Sequence, residues 1–322
     1  MMVAGQRGRR NRRGGRSLKE FPRLSSSKLL ERLELPKGKV RVVLDTDTYN
    51  EIDDQFAVTY AMLSPEKMTV EAIHAAPFFN ARSTGPADGM GKSYQEILRV
   101  LSRLGCKAEN LVFKGSESYL PSPETPVQSD AARNLVKKAL EREEPLYVVA
   151  LGAPTNVASA LLMEPMIIEH IVVIWLGGNP LYWPSASEFN LKQDLAASKL
   201  LFDTGVPLIH IPCKNVSEHL RTTVAELERY IKGTSAIGDY LFQIFSDYRD
   251  DHFAWSKPLW DLAPVAFLVD PCWVPTEIVH SPILSDQMTY SLDQGRHFIR
   301  VATGMNRDEI FRDLFTKVRG AN

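Results

Sequence analysis

Apolar and polar positions change period in a regular way along this chain. Short runs dense in Val, Ile and Leu, at residues 40–44, 70–75, 111–113, 146–151, 171–176 and 207–211, read as strands buried on both faces. Between them, residues 92–103, 130–141, 156–163 and 195–202 place apolar side chains three and four apart, as helices packed on a sheet do. The alternation predicts an α/β fold, a single domain with a mainly parallel, doubly wound (Rossmann-like) sheet flanked by helices. Beyond residue 211 the pattern turns helical over 216–231 and 236–248, a segment expected to cover the C-terminal ends of the strands. Late strands near 277–281 and 297–301 and a last helix over 307–318 complete the domain.

Composition narrows the class. With 322 residues, 44% hydrophobic and 24% charged, the chain can bury a large core as one domain. Residues 1–35 form a distinct leader: Arg7, Arg9, Arg10, Arg12, Arg13 and Arg16 lie among glycines, and a short lead-in helix is expected before the main domain at 36–322. The basic stretch predicts disorder. It lacks helically spaced apolar residues and an apolar signal core, so a cytoplasmic protein is expected, with the Arg-rich leader leaving organellar import open. A net charge of −1 gives no reason to expect specific nucleic-acid binding. The longest strongly apolar candidate, residues 171–176, is a strand-sized piece far short of the roughly 20 residues of a membrane span. Cys106, Cys213 and Cys272 have no metal-ligand spacing and make no even disulfide set, which suits a reducing compartment and inert roles.

The chemistry concentrates where the first strand ends. The run Val42-Val43-Leu44 stops at Asp45, and Asp47, Asp53 and Asp54 follow, four carboxylates within ten residues. In open α/β sheets ligands bind beyond the carboxyl ends of the strands, and so many like charges need a cation or a hydrogen-bonded substrate. An all-oxygen cluster suits a hard divalent ion. Asp-x-Asp after a first strand is also the pattern of haloacid-dehalogenase-like phosphatases, which would make Asp45 a nucleophile, Asp47 its acid/base partner and Mg²⁺ the cofactor. Tyr49 mismatches that pattern, and it gives no reason for a second pair, Asp53-Asp54, opening an amphipathic helix at its electropositive end.

The double pair resembles the inosine-uridine preferring nucleoside hydrolase family, whose N-terminal signature is Asp-x-Asp-Pro-Gly-x-Asp-Asp followed by an apolar helix. Further blocks fall in the family's order: Asn80; Leu151-Gly152-Ala153-Pro154-Thr155-Asn156; Trp175-Leu176-Gly177-Gly178; Ser187-Glu188-Phe189-Asn190 before Asp194; and Trp260-Asp261 opening an apolar helix. The resemblance covers about residues 38–318. It implies hydrolysis of the N-glycosidic bond of a ribonucleoside to ribose and free base through an oxocarbenium-like transition state. It implies Ca²⁺ held by Asp47, Asp54, Asp261 and the carbonyl of Leu151, with Asp47 as general base toward a water activated by the ion. Asp53 and Asn80 would bind the 2′- and 3′-hydroxyls, and Glu188 and Asn190 the 5′-hydroxyl. Asp45 is expected to orient its neighbours. A homo-dimer or homo-tetramer is expected from the same resemblance.

Two departures bear on mechanism. Thr48-Tyr49-Asn50-Glu51-Ile52 replaces Pro-Gly-x, lengthening the loop between the Asp pairs by two residues, so that Asn50 or Glu51 could enter the sugar pocket or cap the helix. Trp260 stands where members of the family often carry a His that protonates the leaving base. A Trp there resembles the purine-preferring branch, where stacking helps activate the base, so purine nucleosides are slightly favoured. Phe78, Phe79, Tyr182 and Trp183 are candidates for a second aromatic wall, and His252 is the substitute acid. Another N-ribosyl substrate on the same scaffold and a noncatalytic nucleoside or ribose binder remain alternatives.

Overall fold

The apolar runs assemble into the sheet that their order requires. The computed structural model describes residues 21–321, so the arginine cluster lies outside the described residues. A short helix, α1 (Ser26–Arg32), capped by the Ser25 side chain on Lys28 N, leads in. Strand β1 (Val40–Thr46) pairs in parallel with β2 (Met68–Ala75) on one side and β4 (Leu146–Ala150) on the other. With β3 (Val112–Lys114), β5 (Ile171–Leu176), β6 (Leu208–Ile211), β7 (Thr276–His280) and β8 (Phe298–Ala302), the eight strands run in the order β3-β2-β1-β4-β5-β6-β8-β7. Only β7, at the edge, is antiparallel to its neighbour. The order reverses between β1 and β4, the point at which such sheets open a crevice at their carboxyl ends.

Alternate residues of each strand feed opposite layers, as a period of two demands. Val42, Leu44, Val149 and Ile174 face a core shared with helices α2 (Asp53–Met62), α3 (Pro86–Arg103), α9 (Ala236–Asp247), α10 (Leu262–Val269) and α11 (Arg307–Arg319). Val43, Val148 and Val173 face the other layer, made by α4 (Asp130–Leu140), α5 (Thr155–Met163) and α7 (Leu195–Asp203). Among the described residues no helix is long and apolar enough to cross a membrane.

Three local expectations are corrected. Helix α2 is buried on every side over Asp53–Ala61 rather than amphipathic, because α3, α9, α10 and α11 all pack on it. Residues 216–231 are not one helix. A 3-10 turn (Ser217–His219) is followed by Arg221–Thr222, which pairs antiparallel with Lys257–Pro258, and Thr223 then caps α8 (Val224–Tyr230). Helix α3 begins at Pro86, six residues before the expected start, since a proline suits a first turn.

Candidate active site

Three chain segments bring acids to one place above the β1/β4 junction. Asp47 follows β1, Asp53 and Asp54 form the first turn of α2, and Asp261 stands at the N-cap of α10. Both helix starts present free backbone N–H groups and the positive end of the helix dipole, which favour carboxylates there. One oxygen each from Asp53, Asp54 and Asp261 lies within 4.8 Å of the others. Asp47 lies outside that tight trio but lines the same cavity, a cleft of about 260 Å³ whose walls include Glu51, Leu151, Glu188, Trp260 and Asp261.

Each acid is fixed by its surroundings. Asp53 Oδ2 accepts from Trp260 N at 3.0 Å. Thr46 Oγ1 donates to Asp54 Oδ1, and Asp54 and Asp261 bring carboxylate oxygens within 4.8 Å of each other. Asp47 Oδ2 is buried with no hydrogen-bond partner. Gly152 makes room for this side chain, since a Cβ on it would come within 2.9 Å of Asp47 Cγ. Burial, then the charges of Asp54 and Asp53, push the Asp47 carboxyl well above its ordinary range. Burial and then Asp54 do the same to Asp261, and burial and Asp53 raise Asp54 to about 7. Crowded carboxylates with an orphaned oxygen make a donor set that fits a hard divalent cation, which would replace the protons.

Asp45 plays a different part. It is fully buried, is not among the lining residues, and accepts from Asn156 Nδ2 at 2.7 Å. Asn156 also donates to the Ala75 carbonyl and accepts from Ser116 N and Oγ, tying the ends of β1 and β2 to the first turn of α5. Burial raises Asp45 to about 7 against the Asn156 hydrogen bond. A nucleophilic Asp45 has no access to the cavity.

On the far wall, Glu188 caps a short helix, α6 (Phe189–Gln193), accepting from Asn190 N, Leu191 N and Gly178 N. Burial still leaves its carboxyl raised despite these bonds. Asn190 Nδ2 donates to the carbonyls of Leu151, at 2.8 Å, and Leu176, at 3.1 Å, clamping the ends of β4 and β5. The Leu151 carbonyl therefore already holds one hydrogen bond, with its second lone pair left for a ligand.

Other expected residues fall less close. Asn80 is not a lining residue; its Nδ2 donates to Asn50 Oδ1 at 2.6 Å, and Asn50 lines the cavity in front of it. Glu51 lines it too, so both loop residues that could enter the pocket do. His252 stands outside the cavity, stacked on Phe245, with Nε2 on the Ser246 carbonyl at 3.0 Å. Phe78 is fully buried, Phe79 and Tyr182 are exposed, and neither they nor Trp183 line the cleft. Its aromatic members are Trp260 and Phe189. Phe189 follows Glu188 directly, and that adjacency was the available sign.

Sequence reasoning missed Lys257. Only 4% exposed, it pairs with Glu51 and lies 3.5 Å from Asp53 Oδ1. Burial pulls its ammonium down, but the charges of Asp53 and then Glu51 outweigh it and the net shift is upward. It lies four residues before Asp261 in a stretch with no motif to single it out.

An open α/β sheet with a carboxylate-lined cleft at its switch point has the form of an enzyme site whose crowded acids could hold a divalent cation. Residues 42–312 match the family model described as inosine-uridine preferring nucleoside hydrolase. The chain belongs to that family, whose members cleave the N-glycosyl bonds of ribonucleosides. It is 28% identical over 260 residues, 71% of this chain and 79% of the relative, to the pyrimidine-specific ribonucleoside hydrolase RihA of Escherichia coli O81 (strain ED1a). Among solved structures it resembles a purine-preferring ribonucleoside hydrolase from Gardnerella vaginalis, with a TM-score of 0.70, 20% identity and coverage of 87% of this chain and 98% of that one. An inosine-uridine preferring nucleoside hydrolase from Bacillus anthracis superposes with a TM-score of 0.64 at 16% identity, over 88% of this chain and 99% of that one.

Proposed function

We propose that this enzyme hydrolyses ribonucleosides with the help of a bound Ca²⁺ ion, and that purine nucleosides are preferred. The observation that carries the metal requirement is the buried set of Asp47, Asp54 and Asp261, with one Asp47 oxygen unpartnered and the other two acids pushed upward by burial and by neighbouring carboxylates. Those three side chains and the Leu151 carbonyl would hold the ion. When bound, calcium supplies positive charge that orients sugar hydroxyls and makes a water easier to deprotonate.

The chain's own residues account for the remaining needs. Asp47 accepts a proton as the water oxygen bonds to C1′. The C1′–N bond breaks, its electron pair leaves with the base, and the base nitrogen is protonated. Asp53, with Asn80 behind Asn50, recognises the 2′- and 3′-hydroxyls, and Glu188 and Asn190 the 5′ end. Trp260 and Phe189 offer flat apolar surface to the base, and a purine has the larger face to cover them. Neither supplies a proton, so the base nitrogen takes its proton from solvent water as it leaves.

Release of free ribose from inosine, adenosine, guanosine, uridine and cytidine tests the reading. Turnover should vanish with a chelator, return with Ca²⁺, and be faster for the purines. Silence across the panel would sink the reaction, activity indifferent to chelation would sink the metal requirement, and faster pyrimidine cleavage would overturn the base preference alone.

A further inference from the structure

The lengthened loop Thr48–Ile52 has a partner of its own. Lys257 sits on the two-residue strand Lys257–Pro258, held by the antiparallel pairing of Thr222 with Lys257 and Arg221 with Pro258. Its stem passes the ring of Tyr248, with Nζ 5.2 Å from the centroid, and Nζ also reaches the Pro258 carbonyl at 3.3 Å. From there the ammonium faces two carboxylates at once. Glu51 belongs to the loop, and Asp53 opens α2. The Asp53 oxygen that Lys257 does not face is the one taken by Trp260 N. Both oxygens of Asp53 thus face donors from the single segment 257–260, which directly precedes the cluster acid Asp261.

We propose that Lys257 is a positioning residue for ribose recognition, holding the Asp53 carboxylate in register with the sugar and, through Glu51, keeping the inserted loop against the cavity. The inference rests on the ribonucleoside reading above and deepens it by naming what fixes the hydroxyl-binding acid. A compact ammonium suits the task. It is buried beside Asp53 and cannot turn to solvent, whereas the Glu51 side chain is 39% exposed and would swing outward without it. Removing the ammonium leaves Asp53 directed by Trp260 N alone, and a carboxylate that wavers loses its grip on the 2′-hydroxyl before it affects bond cleavage. A purely structural ion pair would instead lower stability and leave the sugar preference untouched.

The test compares wild type, Lys257→Met, Lys257→Arg and Glu51→Gln. Steady-state kinetics would use the best ribonucleoside of the panel and its 2′-deoxy counterpart, and ribose affinity would be read by tryptophan fluorescence. Expected for Lys257→Met is a ribose affinity weaker by about ten-fold and a ribo-to-deoxy ratio of kcat/KM narrowed by a similar factor, the loss falling mainly in KM, as for a charge-assisted hydrogen bond. Lys257→Arg should restore most of both. Glu51→Gln should raise KM for the two sugars alike and keep the ratio. An unchanged ratio and ribose affinity in Lys257→Met overturns the proposal. Should that variant not fold, as a thermal melt would reveal, a narrowed ratio in Glu51→Gln overturns it and a kept ratio with Lys257→Arg near wild type supports it. A wild type that binds ribose without turning over nucleosides refutes the hydrolase reading, while the variants' ribose affinities still decide the role of Lys257.

Discussion

Gly152 shows how far this site depends on a missing side chain. A methyl group there would meet the carboxyl carbon of Asp47 at 2.9 Å, and Asp47 cannot retreat because it is itself buried. Gly152→Ala should therefore lower kcat by roughly 10²-fold, the usual cost of misplacing a reacting group by about an ångström, while circular dichroism and the melting profile stay close to wild type. An active Gly152→Ala enzyme would mean that Asp47 has slack. Asp47→Asn asks the complementary question. It keeps the shape and removes the basic oxygen, so turnover should disappear without loss of folding, and ordinary turnover in that variant would rule out Asp47 as the base.

At the scale of elements, two buried histidines in the sheet set a pH dependence apart from catalysis. His74 on β2 and His210 on β6 are both held down to about 4 by burial, opposed only by hydrogen bonds to Asn134 and to the Gly177 carbonyl. A folded pKa below the unfolded one means stability fully present above about 6.5 and lost as the pH falls through about 4. Asp45, raised to about 7, works in the opposite direction, so the whole-protein slope is a balance. The difference in urea unfolding energy between wild type and His210→Gln isolates one contribution. It should shrink as the pH falls from 7 toward 4, and a pH-independent difference would contradict the assignment. The strands that carry these histidines were legible because burial on both faces leaves an unbroken apolar run. The segment after β6 was not. Its apolar spacing fits a helix, yet Arg221–Thr222 finds ladder partners in Lys257–Pro258, and pairing across 35 positions leaves no local trace. Lys257 was hidden for the same reason, whereas Asp47, Asp53, Asp54 and Asp261 stood out because acids directly after apolar strands or before apolar helices break the pattern visibly.

For the molecule as a whole, an ion held in the acidic cleft as proposed would make stability depend on its concentration. A ligand that binds only the folded state at 100 times its dissociation constant adds about 2.7 kcal/mol, so calcium should raise the unfolding midpoint and a chelator should lower it. Burial and neighbouring carboxylates push Asp54 and Asp261 upward, so a cation entering beside them is expected to displace protons. Calorimetric titration in two buffers of different ionisation enthalpy should show proton release, with affinity rising from pH 5.5 to 8. Equal heats in both buffers would show that no proton is displaced.

The pair Glu51–Lys257 joins positions 206 residues apart. In chain order Asp47, Asp53 and Asp54 precede Asp261 and Lys257 by some two hundred positions. A chain cut before residue 257 would therefore lose both the ammonium that faces Glu51 and Asp53 and the third acid of the Asp53–Asp54–Asp261 group, and should show no calcium-induced rise in melting temperature.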